Sequence, residues 1–349
     1  MINSLIHPNN ELFSQFPLLY PLICFIITSA IVIFAVLVLV YVERRALALF
    51  TLRYGPNRTG KEGILQPVAD AIKLLIKGDL APKERRKFLF FAAPIMVFCP
   101  VLTAFCLVPF NNAFLQTDFN ISLVLFSALV SIPVTGIFLA GFSSNNKYSL
   151  IGAVRSVAQA LSFEIPMGIC ILAVSFVSGS LNINEIIQAQ SSSFGLFGWY
   201  FLPLFIGTII FFISSLALLN RTPFDLSEAE SELISGYNTE YSGMKFALLF
   251  IAEYALLFLV SIVFVSLFFG GYLSPFGAYV LPENLQPIEQ TFWLLVKTFI
   301  VILFIILIRA ALPRLRYDRL LEFSYKVLLP LSLINLNAAI LILYFKGSM

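Results

Sequence analysis

Five acids crowd into the stretch 220–240. It runs Asn220-Arg221-Thr222-Pro223-Phe224-Asp225-Leu226-Ser227-Glu228-Ala229-Glu230-Ser231-Glu232 and closes at Glu240. One neighbouring arginine, Arg221, faces them. Asp225, Glu228 and Glu232 are three and four residues apart, so on a helix they share a face, where like charges repel. On such a face they should also raise one another's pKa values and favour partial protonation. Carboxylates that exchange protons are useful beside a redox or proton-transfer step. A plainer reading is a helix starting near Ser227 with acids in its first turn, which suits the helix dipole. It accounts for Glu228 and Glu230 but not for the full count.

Two more acids stand inside apolar runs. Glu164 has Pro166 two residues on, and that proline frees the carbonyl of Ser162, which predicts a polar or hydrated break. Glu253 is followed by Tyr254 in a second run. An ionised, lipid-facing acid at mid-bilayer costs at least about 2.5 kcal/mol. Both should therefore face the interior of a helix bundle, hydrated, paired or neutral. A proton path is the sharper reading, a structural polar contact the blander one. Lys297, also inside an apolar run, either snorkels to a surface or pairs with an interior acid.

The elements that hold these residues follow from composition. The chain is 59% hydrophobic and 12% charged, against about 25% charged in soluble domains. Eight stretches approach the ~20 residues that cross a hydrocarbon core: 18–42, 88–110, 121–141, 157–178, 199–219, 245–269, 290–311 and 326–344. Of the 22 basic residues, all but Lys297 and Lys346 fall in the first, third, fifth and seventh connections or at the span ends that border them. The positive-inside rule then puts those loops in the cytoplasm or matrix and both termini on the far side. The connections are too short for a second domain, so residues 1–349 read as one membrane domain. The first span is too long for a signal peptide, and no basic residue precedes it.

The first connection has structure of its own. Over 63–78, Ile64, Val68, Ile72, Leu75 and Ile76 recur at helical spacing, while Asp70, Lys73 and Lys77 share the other face. Pro67 suits a first turn. This amphipathic piece should lie along the membrane surface, as a plain anchor or as one wall of an entry for a lipid-soluble ligand.

Other chemistries find no support. Cys24, Cys99, Cys106 and Cys170 all lie in spans, none spaced as a metal or cluster site. The single histidine, His7, rules out a bis-histidine haem within this chain. No nucleotide-binding glycine motif follows a strand pattern, and the basic residues are not interleaved with exposed aromatics as a nucleic-acid surface requires. The chain is expected to hold no metal, haem, flavin or iron–sulfur cluster.

Several stretches together resemble one family: Glu43-Arg44-Arg45, Arg53-Tyr54-Gly55-Pro56-Asn57, Leu65-Gln66-Pro67-Val68-Ala69-Asp70, Ser143-Ser144-Asn145-Asn146-Lys147-Tyr148, Ala158-Gln159 with Ser162-Phe163-Glu164, and above all Asn220 to Tyr241. Pro313-Arg314-Leu315-Arg316-Tyr317-Asp318 and Leu329-Pro330-Leu331 complete the set. The family is the membrane subunit of NADH-quinone oxidoreductase (respiratory complex I) that joins the redox arm to the membrane arm. It is the H subunit of the bacterial enzyme and subunit 1 of the mitochondrial one.

The resemblance implies an all-α membrane protein of eight helices, several tilted, with quinone as bound substrate. It implies a quinone entrance framed by the surface helix and the first and sixth spans. Arg44, Arg53, Arg221, Asp225 and Glu228 match quinone-chamber positions. Glu164, Glu230, Glu232, Glu240 and Glu253 match acids that carry the signal towards the pumps. Implied partners are peripheral redox subunits bearing the terminal iron–sulfur cluster, antiporter-like membrane subunits, quinone and lipid. Leu218 departs from the pattern, because many mitochondrial members carry a glutamate there. The runs Asn145-Asn146-Lys147-Tyr148-Ser149 and Tyr241-Ser242-Gly243-Met244-Lys245-Phe246 look bacterial or plastid. The competing readings are the equivalent subunit of a ferredoxin-linked or hydrogenase-type complex, and a stand-alone ion-coupled transporter, whose paired broken helices are not evident.

Overall fold

The computed structural model describes residues 19–112, 119–191, 195–226, 234–277, 279, 281–282 and 285–347. It is an all-helical polytopic membrane protein, and among the described residues there is no strand. The helices are α1 (Leu19–Phe50), α2 (Gln66–Ile76), α3 (Lys87–Ala104), α4 (Ser122–Ser143), α5 (Lys147–Ser178), α6 (Ile183–Ala189), α7 (Phe205–Leu218), α8 (Gly243–Phe268), α9 (Gln286–Ala311), α10 (Tyr317–Phe323) and α11 (Leu329–Gly347). A π turn, Ser324–Leu328, joins α10 to α11 in one rod.

Seven rods are long and apolar enough to cross a membrane. The expected fifth span is shorter than its sequence window: α7 has 14 residues, and a turn occupies the residues before it. The count of eight therefore holds only with this short apolar helix included. Other boundaries move as well, among them the start of the last rod, at Tyr317 rather than 326. Helix α1 runs on past Val42 to Phe50, so Glu43, Arg44 and Arg45 are helical and not a terminus. Helix α5 begins ten residues before the expected 157, because the Asn146 side chain accepts the Tyr148 N–H at 3.0 Å and caps it. Helix α6, between α5 and α7, lies outside all eight expected spans.

Helix α8 is the hub, buried along most of its length. It packs against α1, α3 and α9. Helices α4 and α5 approach closely because Gly141 lacks a side chain: a Cβ there would lie 2.4 Å from that of Ala153. The surface helix α2 leans on α1 and α8, and its apolar Val68, Ile72, Leu75 and Ile76 are exposed.

The expected break at Pro166 is filled by protein. Helix α5 runs through it unbroken. The Ser162 carbonyl, which has no N–H to meet four residues on, accepts the Ser324 hydroxyl at 2.6 Å. Ser324 opens the π turn, and Pro330, which cannot donate to residue 326, follows shortly after it.

Candidate functional site

The site gathers where α1, α8 and α9 meet the irregular segment after α7. Glu43, near the end of α1, is 2% exposed. Its Oε1 accepts guanidinium hydrogen bonds from both Arg221 and Arg309. A buried carboxylate is tolerable only when paired in this way. Arg221 lies in the turn after α7 and also stacks over the Tyr254 ring of α8, 4.8 Å from its centroid. Arg309 ends α9, and its carbonyl accepts the Thr222 hydroxyl at 3.2 Å.

Beside this triad is a polar cavity of about 170 Å³, bordered by Arg221, Asp225, Asn238, Glu253, Tyr254 and Arg309. Asp225 accepts from Arg314 at 3.1 Å. Glu253 accepts the hydroxyl of Tyr237 at 2.7 Å, and Tyr237 is 1% exposed. Two carboxylates and two guanidinium groups thus face one small space, each with a fixed partner. Such a cavity can stabilise a charge that appears within it and can pass a proton between its carboxylates.

The sequence-predicted residues are distributed unevenly about it. Arg221, Asp225 and Glu253 border the cavity. Arg44 lies outside it and pairs with Asp70 of α2 at 2.6 Å, while Gln66 donates to the other oxygen of Asp70 at 3.0 Å. That pair ties the surface helix to α1. Arg53 is exposed in the turn after α1. Glu240 accepts from Asn146 at 2.7 Å, which links the fifth loop to the third. Glu164 is half-buried on α5 with Ser131 of α4 as its polar neighbour, and it does not border the cavity. Glu228, Glu230 and Glu232 lie outside the described residues. Asp225 itself is in non-helical backbone.

Lys297 does neither of the things expected of it. Its ammonium donates to three backbone carbonyls beyond the end of α8.

Sequence reasoning did not single out Glu43, Arg309 or Tyr237 for the site. Glu43 and Arg309 looked like loop charges beside apolar runs, although an acid closing an uncharged run of 24 residues in α1 was a usable signal. Nearby Tyr241 is buried and stacks on Phe90 at 4.1 Å; burial pushes its phenol up to about 12, so it stays neutral. Its hydroxyl donates to the Phe90 carbonyl at 3.3 Å.

A second cavity is different in kind. It has a volume of about 680 Å³, lies between α1, α8 and α9, and is lined by Val38, Leu39, Phe258, Phe299 and Ile302 among others, with no charged residue among the described residues that line it.

The chain matches the family model described as NADH dehydrogenase over residues 23–340. It is 47% identical over 315 residues to the NADH-quinone oxidoreductase H subunit of Dehalococcoides mccartyi, covering 90% of this chain and 84% of that one. A second strain of that species gives 46% over the same spans. The H subunit of Vesicomyosocius okutanii is 44% identical over 317 residues, 90% of this chain and 88% of the relative.

Proposed function

This chain belongs to the NADH dehydrogenase family, as a subunit of the NADH-quinone oxidoreductase type, and from that premise we propose how its residues serve quinone reduction. The polar cavity is the inner part of the quinone chamber. Arg221 and Asp225 face the head group there, and Arg44, Arg53 and Glu228 complete the chamber's walls. Quinone is substrate, entering past α2. The apolar cleft beside the chamber offers a hydrocarbon path, because Leu39 and Phe258 are one helical turn from Glu43 and Tyr254.

Electrons come from a partner subunit in this reading, since the four cysteines lack the sequence spacing of a metal or cluster site. Reduction of a quinone creates negative charge or proton demand. Arg221 holds the charge in a site of low dielectric, where a fixed guanidinium acts more strongly than in water. Glu253, with Tyr237 as donor, feels that change across the same cavity. Glu230, Glu232 and Glu240 extend the acidic series, and Glu164 receives the signal deeper in the bundle. The peripheral redox subunits dock on the basic loops, on the cytoplasmic or matrix face, and the antiporter-like subunits lie beyond α5. The chain is one membrane domain, residues 1–349, with both termini on the opposite face.

The observation that carries this reading is the placement of Glu253 and Arg221 on one cavity, joined through Tyr254. The names of the relatives favour the NADH-linked complex over a hydrogenase-type complex or a lone transporter. The test is Glu253→Gln in intact membranes, with NADH-driven quinone reduction and proton pumping read together. A fall in both supports the coupling role. Unchanged rate and unchanged proton-to-electron ratio remove Glu253 from the scheme.

A further inference from the structure

Lys297 stands in the middle of a membrane-crossing rod, and the quinone chamber makes no use of it. Its ammonium donates to the carbonyls of Phe269 at 2.8 Å, Gly271 at 2.9 Å and Leu273 at 2.7 Å. An ammonium has three N–H donors, and each has an acceptor here. The remaining face of the cation is covered by the Trp199 ring, 4.1 Å from its centroid. Four groups from two segments therefore surround a single charge.

The cage is built by the backbone. Gly270 and Gly271 have φ of 68° and 50°, a left-handed pair that only glycine enters freely. A Cβ on Gly270 would lie 2.5 Å from the Trp199 indole nitrogen. This turn follows the last residues of α8, so the Phe269 carbonyl is one of the orphan acceptors of a helix C-terminus. A cation there also meets the negative end of the helix dipole. Gln190 holds the turn from the other side, accepting from Gly270 N–H at 3.0 Å and donating to the Ser266 carbonyl at 3.0 Å. A cavity of about 110 Å³ opens beside the cage, bordered by Gln190, Trp199, Leu273 and Tyr279. It could admit a small amine.

We propose that the turn after α8 is a primary-ammonium site, filled from within the chain by Lys297. The clasp fixes the end of α8 remote from the chamber. Glu253 and Tyr254 stand on the same helix, about 24 Å from Phe269 at the α-helical rise. The near end of α8 is held separately, by Lys245 to Asp79 at 2.5 Å and by Ser242 to the Leu80 carbonyl at 2.8 Å.

The test is Lys297→Ala in the assembled complex, with n-propylammonium supplied in the buffer. That ion replaces the part of the side chain that alanine lacks. The variant should lose quinone-reduction rate about fivefold or more and denature at a lower temperature, because three buried carbonyls lose their donor. Propylammonium should restore both saturably, and tetramethylammonium, which has no N–H, should restore neither. An unchanged variant, or one that assembles and answers equally to both ions, overturns the proposal, as does an assembled variant that propylammonium fails to rescue. A second measurement covers a variant that does not assemble. In the wild-type complex, reductive methylation with formaldehyde and cyanoborohydride, which reduces the imine, should spare Lys297 while exposed lysines react. Methylation of Lys297 in the folded complex overturns the proposal on its own.

Discussion

The cavity owes its geometry to a few single side chains, and Glu43 is first among them. One carboxylate faces two guanidinium groups with 3% of its side chain exposed. Removing its charge leaves Arg221 and Arg309 confined together, and breaking a buried pair in this way costs about 3–5 kcal/mol. Glu43→Gln should therefore lower the thermal transition of the complex, or the amount of this subunit in the membrane, more than Asp70→Asn does. The latter breaks only the half-exposed Arg44 pair, where exposed ion pairs contribute about 0–1 kcal/mol. Tyr237 is the second such residue. Tyr237→Phe deletes the hydroxyl donated to Glu253, a bond to a carboxylate that contributes about 1.5–3 kcal/mol. Quinone reduction should fall by about tenfold or more where that bond forms its full strength only as the reaction charges the cavity, because only an interaction stronger in the transition state lowers the barrier. A Tyr237→Phe complex with wild-type turnover would show that the donor is idle. Arg221, Asp225 and Glu253 were legible in the sequence because charge in an apolar run or a dense acidic loop is costly and therefore informative. Glu43 was hidden by its neighbours Arg44 and Arg45, which have the ordinary look of orientation signals.

At the scale of elements, hydrophobic length marked the rods well and their ends poorly. Charged residues at 43–45 looked like a stop, yet the backbone stays helical because Glu43 has buried partners and Arg45 reaches Tyr41 and Glu62 on one side of the rod. The polar start of α5 was missed for the same reason, although Asn146 is a good N-cap and was visible. Pro166 is the instructive case. A proline inside an apolar run predicts a freed carbonyl and a polar or hydrated break; the carbonyl is freed, but the helix does not break, and a protein hydroxyl meets it. The donor, Ser324, is 162 residues away, beyond the reach of any local pattern. Ser324→Ala should leave the Ser162 carbonyl without a donor in a buried place, at about 1–3 kcal/mol. Pro166→Ala should restore the intrahelical bond. In thermal melts of the complex the double variant should then lose less than the sum of the singles, as coupled neighbours do. Strict additivity would mean that the serine and the freed carbonyl do not interact.

At the scale of the whole molecule, the alternation of charge along the chain becomes a single platform. Arg86 N–H meets the Ser143 carbonyl at 3.1 Å, which joins the first loop to the third. Asn146 joins the third to the fifth. Leu315 N–H meets the Pro223 carbonyl at 3.1 Å, and Arg314 meets Asp225, joining the fifth to the seventh. All four basic loops thus converge at the end of the bundle that contains the cavity, which is the arrangement the proposed docking of peripheral subunits requires. The positive-inside rule predicts the sidedness, and labelling measures it. Arg316 lies on the platform with an 80% exposed side chain, and Phe276, in the turn after α8, is 76% exposed. Cysteine placed at either site should react with a membrane-impermeant maleimide in opposite vesicle preparations: Arg316→Cys in inverted vesicles once the peripheral subunits are stripped, Phe276→Cys in right-side-out vesicles. Labelling of both variants from the same side would break the alternation. The reverse pattern would put the platform, and with it the acids around Arg221, on the face away from the redox subunits, where a charge created by quinone reduction could not be matched to the cations gathered to receive it.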